Sequence, residues 1–219
     1  MTKSKKKALL MVLCAVMLVL VSVMGTMAYL TSTDEVVNTF TVGNVQIKLD
    51  EAKANADGSL IADVPRVKAN SYKLLPGHTY NKDPMVTVLK GSEESYVKMT
   101  VTFTKAAELD AIFAKNGENG RANLTSIFKG YDGNTWLYKG NAEGDDNTRT
   151  YEFWYKKAVA APDGDVALDA LFDSITVPGT ITNDQLKTIE GMTITVNAYA
   201  IQADGFANAE AAWAAYTAQ

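Results

Sequence analysis

YVKMTVTF, residues 96–103, carries the clearest structural signal in the chain. Val97, Met99, Val101 and Phe103 recur at period two, with Lys98, Thr100 and Thr102 between them. Alternation at that period sends one row of side chains into a core and the other into solvent, so the stretch predicts a half-buried β-strand. Working outward, the pattern repeats. Val45, Ile47 and Leu49 alternate with Gln46, Lys48 and Asp50, and Tyr151, Phe153 and Tyr155 alternate within TYEFWY. Ile194, Val196, Ala198 and Ala200 share one face of a long strand over residues 192–203. Pro84 holds Asp83 extended and opens an apolar, β-branched run at 85–89. Residues 136–138 predict a short strand, and 60–67 a weak extended segment demoted by Pro65.

Helical spacing intervenes between these runs. Leu109, Ile112 and Phe113 cluster on one side of 105–115, which Asn116-Gly117 stops. Short helical turns are expected at 124–128, 166–172 and 183–190. A terminal helix is expected at 206–216, with Phe206, Trp213 and Tyr216 in one stripe. Residues 91–95 predict a polar turn and 140–148 a connector. Many strands joined by turns, with helices in the long connections, indicate a mainly-β, antiparallel sandwich closed by a C-terminal helix.

The N-terminus has a different character. Lys3, Lys5, Lys6 and Lys7 precede ALLMVLCAVMLVLVSV, residues 8–23, which has no charge and no proline. A basic head, a short apolar core and a small-residue exit form an export signal. Thr26 and Ala28 are spaced as the −3 and −1 positions of a cleavage site, which places the cut near 28–29. A retained membrane helix is the alternative, since a span needs about 20 apolar residues. Cys14 lies inside the apolar core after Leu13, with neither the position nor the preceding small residue of a lipidation site. A processed chain therefore has no cysteine and no disulfide framework.

Removing 28 residues leaves 191, enough for one domain with a sizeable core. The signal holds four of the 21 basic residues and none of the 25 acidic ones, so the remainder carries a net charge of −8 (17 against 25). That balance excludes a nucleic-acid role and adhesion to an anionic membrane surface, leaving membrane contact only through an uncleaved signal. It suits a secreted protein kept apart by like charge. Three parts follow: a signal at 1–28, an extended segment at 30–43, and a single β-sandwich domain at 44–219. In the middle part Val36, Asn38, Phe40 and Val42 fall on one face, with Val37, Thr39 and Thr41 on the other, before Gly43-Asn44 breaks the run.

This junction carries a resemblance. The strings GTMAYLT (25–31), NTFTVG (38–43) and VQIKLDE (45–51) resemble the TasA/camelysin (CalY) group of Gram-positive exported proteins. LPG (75–77) before Asp83-Pro84, ESYV (94–97), and AYAIQADGF (198–206) followed by Ala212-Trp213 fit the same group, while 105–185 matches less clearly. The resemblance implies a jelly-roll-like β-sandwich that self-associates into extracellular biofilm-matrix fibres. It implies export through a SipW-like signal peptidase, with a cut after Ala28 or after Tyr29. It also implies that the segment from Leu30 to Val42 is donated as a strand to the next subunit, with Val36, Phe40 and Val42 filling the neighbour. Pairing of the same segment within its own sheet is the competing expectation.

Catalytic chemistry finds little support. Camelysin members are described as metalloproteases, but there is no His-Glu-x-x-His, and His78, in a turn after Pro76-Gly77, is the only histidine. A Ser-His-Asp arrangement would need the same residue. Glu93-Glu94, Asp145-Asp146, and Asp163 with Asp165 read as solvated turn carboxylates. The runs GDDN (144–147) and DGD (163–165) lack the spaced ligands and closing glutamate of an EF-hand. Asn123-Leu124-Thr125 matches a glycosylation acceptor that a bacterial-type export route leaves without weight. The sequence therefore implies no enzyme, metal or cofactor. The expected role is a secreted, self-assembling structural subunit. The alternative is a monomeric surface-binding module using Trp136, Tyr138, Tyr151, Trp154 and Tyr155 as a sugar-binding strip.

Overall fold

A computed structural model describes residue 7 and residues 11–15, 43–113 and 121–217. The chain divides into two units, Met1–Val42 and Gly43–Gln219. In the first, residues 11–15 are helical, with Met11, Val12 and Leu13 exposed. The expected cleavage residues Thr26, Ala28 and Tyr29, and the strand-face residues Val36, Asn38, Phe40 and Val42, lie outside the described residues. No described helix is long and apolar enough to cross a membrane.

The second unit is a mainly antiparallel β-sandwich. Its strands are β1 (Ile47–Asp50), β2 (Thr79–Asn81), β3 (Met85–Val88), β4 (Ser92–Thr104) and β5 (Trp136–Gly144). They continue as β6 (Thr148–Tyr155), β7 (Val159–Ala161), β8 (Val166–Ala167), β9 (Ser174–Thr176) and β10 (Ile194–Gln202). Short helices α1 (Ala106–Ile112), α2 (Leu124–Ile127) and α3 (Asn183–Thr188) sit in the connections, and α4 (Ala209–Thr217) ends the fold. One sheet has the order β1-β3-β8. The other has the order β10-β4-β6-β5, with β7 beside the start of β4, and β2 and β9 form a separate pair.

The expected inner row of β4 sets the core. Val97, Met99, Val101 and Phe103 are fully buried, as are Val86 and Val88 of the facing sheet. Phe128, at the end of α2, fills the space between the layers. Its ring lies 4.7 Å from that of Phe172, 5.4 Å from Tyr151, 5.7 Å from Phe103 and 5.8 Å from Phe153. Edge-on and tilted contacts at these separations add to the area buried.

Three local expectations are corrected. Residues 92–95 are strand rather than turn. Ser92 Oγ accepts from Gln46 N at 3.0 Å, and Ser95 Oγ donates to Val159 O at 3.2 Å, so these buried serines satisfy backbone groups of the neighbouring segments. Residues 140–148 are not a connector but most of a hairpin, β5 running to Gly144 and β6 starting at Thr148. A bulge between Tyr138 and Gly140 breaks the alternation there, which hides the strand from a period-two reading. Residues 166–172 form no helix. Leu168 N donates to Val86 O at 2.9 Å and Leu171 N to Pro84 O at 3.0 Å, so the segment lies along β3 while Leu168, Leu171 and Phe172 enter the core.

The hairpin tip also starts a helix. Asn147 holds φ at 53°, a left-handed conformation that asparagine tolerates. Its carbonyl accepts from Ala106 N and its side-chain oxygen from Ala107 N, both at 2.9 Å. Lys105 offers no side-chain cap, so the first free amides of α1 are satisfied from forty residues away. On the outer face of the larger sheet, α4 lays buried Trp213 over Lys98, whose Nζ is 4.6 Å from the ring centre. Tyr216 of the expected stripe remains more than a third exposed.

Phe128→Ala is expected to destabilise the domain by about 3–5 kcal/mol, since it empties the space shared by four rings. Leu137→Ala, at a position 40% exposed, is expected to change stability by less than about 0.5 kcal/mol. Urea titration of both variants checks the contrast.

Candidate functional site

The end of β1 brings two carboxylates inside. Asp50 and the following Glu51 are each 4% exposed. Asp50 stands on the polar side of the alternation that buries Leu49, so its sequence position suggests solvent. The structure covers it because the chain after β1 folds back and Glu51 bridges to Val67. Arg66 then reaches both sides of the turn. Its Nε donates to Asp50 Oδ1 at 2.6 Å and its Nη1 to Asp83 Oδ2 at 2.8 Å. Lys48 Nζ lies 2.6 Å from the other Asp50 oxygen. Burial alone pushes the Asp50 carboxyl up; the hydrogen bonds and charges of Lys48 and Arg66 outweigh it and hold the group below the usual aspartate range.

Glu51 is served by a second set. Its Oε2 accepts from Lys82 Nζ at 2.6 Å and its Oε1 from Asn70 Nδ2 at 3.0 Å. Lys82 is 8% exposed and is placed by its neighbours: Asn81 belongs to β2, and Lys82 N donates to Asp173 O at 3.0 Å. Tyr72 closes this side, donating to Asn81 O at 2.6 Å. Burial, reinforced by the Glu51 charge, pushes the Tyr72 phenol well above its usual range, so it stays a neutral donor.

These groups line a cleft. β1 and β10 are the edge strands of their sheets, and the cleft, about 330 Å³, has Leu49, Asp50 and Glu51 on one side and Ile194, Thr195 and Val196 on the other. A larger groove of about 870 Å³ shares Asn70, Lys82 and Ile194 with it and runs on between Tyr72–Leu74 and α3. Along β10 the inner side chains Ile194, Val196, Ala198 and Ala200 face Phe103, Val101, Met99 and Val97 on β4. The β4 partners are fully buried, whereas the β10 residues are only partly covered. The core is therefore incompletely roofed where, among the described residues, no strand pairs with the β10 edge.

Other sequence candidates fall elsewhere. His78 is exposed in its turn, Glu93 and Glu94 are exposed but on strand β4 rather than in a turn, and Asp145, Asp146, Asp163 and Asp165 are exposed. Asp165 accepts from Lys90 N at 2.8 Å. Asn123 caps α2 through Thr125 N at 2.9 Å. Among the described residues, no group of three or more His, Cys, Asp or Glu is placed to hold a metal ion. The aromatic strip does not exist as a surface, because Trp136 is fully buried and Tyr151 is 2% exposed. Trp136 stacks edge-on with Tyr155 at 5.0 Å, and Tyr138 packs on Phe153 at 5.5 Å. Trp154 points to the opposite face, beneath Lys139.

No family model, curated protein or solved structure matches the chain.

A second lowered carboxyl, Asp110, pairs with Arg149 at 2.7 Å. Burial raises it, but the Arg149 hydrogen bonds and the amide of Ala122 win. Asp50 and Asp110 thus ionise at lower pH folded than unfolded, so on acidification the unfolded chain binds their protons first. Their stabilisation is complete above the ordinary aspartate value of about 3.9 and is lost as pH falls through the folded values. Urea midpoints are expected to fall steadily from about pH 5 towards pH 2. Asp50→Asn should flatten part of that slope; an unchanged slope in this variant would assign the effect to other groups.

Proposed function

We propose that the chain is an exported structural subunit that polymerises by strand addition. In this reading, residues 30–42 of one copy add along the β10 edge of the next, beyond the point where β1 approaches it. The observation that carries it is the half-covered inner row of β10, beside an edge that no described strand pairs with. An open strand edge is a template for another strand. Main-chain hydrogen bonds supply affinity, and alternate side chains supply fit. Val36, Phe40 and Val42 provide an apolar face of the period that a β partner needs, and Ile194, Val196 and Ala198 provide the surface that it would cover. A head-to-tail contact of this kind does not close on itself and yields a filament.

The remaining sequence features fit the same role. The basic head and apolar core of residues 1–28 fit an export signal, and a cut near 28–29 by a SipW-like peptidase would free the N-terminal end of the donated segment. The motifs shared with the TasA/camelysin group point to a biofilm-matrix fibre.

Deleting residues 30–42 from the processed chain is expected to abolish filaments in negative-stain electron microscopy while leaving circular dichroism and Tm unchanged. A synthetic peptide of residues 30–42 should bind the truncated domain, and Val196→Lys, with its fold verified, should weaken that binding at least tenfold. Filaments that survive the deletion, or a peptide that does not bind, would sink the reading.

A further inference from the structure

We propose that Lys82 and Asn70 become joined by an intramolecular amide bond, formed by the chain itself with Glu51 as the proton-transfer group. One buried carboxylate holds both of the side chains that such a bond would join. Glu51 is a bridge, one oxygen on the Lys82 amine at 2.6 Å and the other on the Asn70 carboxamide nitrogen at 3.0 Å. Nucleophile and leaving group therefore meet across a single carboxylate. Asn70 is locked as well: its nitrogen donates to Ala52 O at 2.8 Å, and its oxygen accepts from Ala54 N at 2.9 Å. The Ala54 amide stands where negative charge develops when the carboxamide carbon is attacked.

The step balances without an oxidant or a cofactor. Glu51 takes a proton from the Lys82 ammonium, and the freed amine attacks Cγ of Asn70. Charge gathers on Oδ1 against the Ala54 N–H. Glu51 then delivers protons to Nδ2, the Cγ–Nδ2 bond breaks, and nitrogen leaves as ammonium. In all, the lysine nitrogen gives up two protons, both pass by way of Glu51 to the leaving nitrogen, and Glu51 returns to a carboxylate. One Nζ–Cγ bond replaces one Cγ–Nδ2 bond. Glu51 and Lys82 are 4% and 8% exposed, so the amine and its proton acceptor meet out of bulk water. The cleft of about 330 Å³, lined by all three residues, gives the leaving group a way out. The only cysteine lies within the export segment, so a lysine–asparagine amide is a covalent tie still open to the processed chain. This inference stands on the side-chain geometry and not on the assembly reading.

The test is mass spectrometry of the full chain, denatured and digested with trypsin. Trypsin does not cut at an amidated lysine. The wild-type protein should therefore give residues 69–73 joined to residues 74–90, lighter by one ammonia than the two peptides together. Lys82→Arg keeps a cation for Glu51 and should lose the joined peptide entirely. If this variant fails to fold, the wild-type digest still decides. Separate peptides carrying unmodified Lys82 and Asn70, or Asn70 deamidated without a link, would overturn the proposal and leave a plain buried ion pair.

Discussion

The domain depends on a debt incurred at one place: two adjacent carboxylates, Asp50 and Glu51, sit inside the fold. An unpaired charge there costs several kcal/mol, so the cations that answer them are obligatory. Arg66 and Lys82 come from either side of a long excursion between β1 and β3, and both must return to the end of β1. That requirement folds residues 52–83, which hold little regular structure, back onto β1. Replacing such pairs with apolar residues is often neutral or better for stability. What the pairs supply is position: they set where the 66–74 segment runs, and hence where the cleft opens.

The sequence showed the layers better than the connections. Alternation at 96–103 and 194–200 was readable because each strand buries one face, and burial is what the pattern encodes. The hairpin was missed where Gly140 and its bulge shift the register, so that inward and outward positions trade places. Residues 166–172 misled for a related reason. Leu168, Leu171 and Phe172 have helical spacing, but their backbone amides are taken by β3, and tertiary hydrogen bonding overrides local periodicity. The buried charges were illegible: Asp50 has the sequence environment of a solvated strand residue. Only the fold shows that the face opposite Leu49 is covered. Nothing local distinguishes Lys82 from the chain's exposed lysines.

The edge of β10 can be compared with the other boundaries of the same sheet. The start of β4 is closed by β7, and Ser92 and Ser95 satisfy backbone groups beside it. The outer face carries α4, with Lys98 among Tyr199, Trp213 and Tyr216. These regions are finished by polar or aromatic devices of the domain's own. Along β10, the small side chains Ala198 and Ala200 leave room above fully buried Met99 and Val97. Small residues on an edge strand's inner face are poor at sealing a core by themselves, but they suit an incoming strand bearing a larger residue such as Phe40.

If the chain forms the proposed filament, load would pass through the junction between residue 42 and β1, and tension would enter the domain at its first strand. β1 is four residues long and, among the described strands, pairs with β3 alone. Peeling such a strand breaks its hydrogen bonds one after another, each worth about 1 kcal/mol, which is a weak anchor by itself. The charges at its end change the failure mode. To free β1, Asp50 must leave Arg66, and Glu51 must leave Asn70 and Lys82, a lysine only 8% exposed. An amide between Lys82 and Asn70 would keep the far side of this clamp assembled while β1 is pulled. This buried charge cluster stands where the proposed strand-linked fibre would transmit its force. In the proposed fibre, Asp50 and Glu51 would brace the fold at the strand that carries the load, a physical reason for such a subunit to bear the cost of burying them.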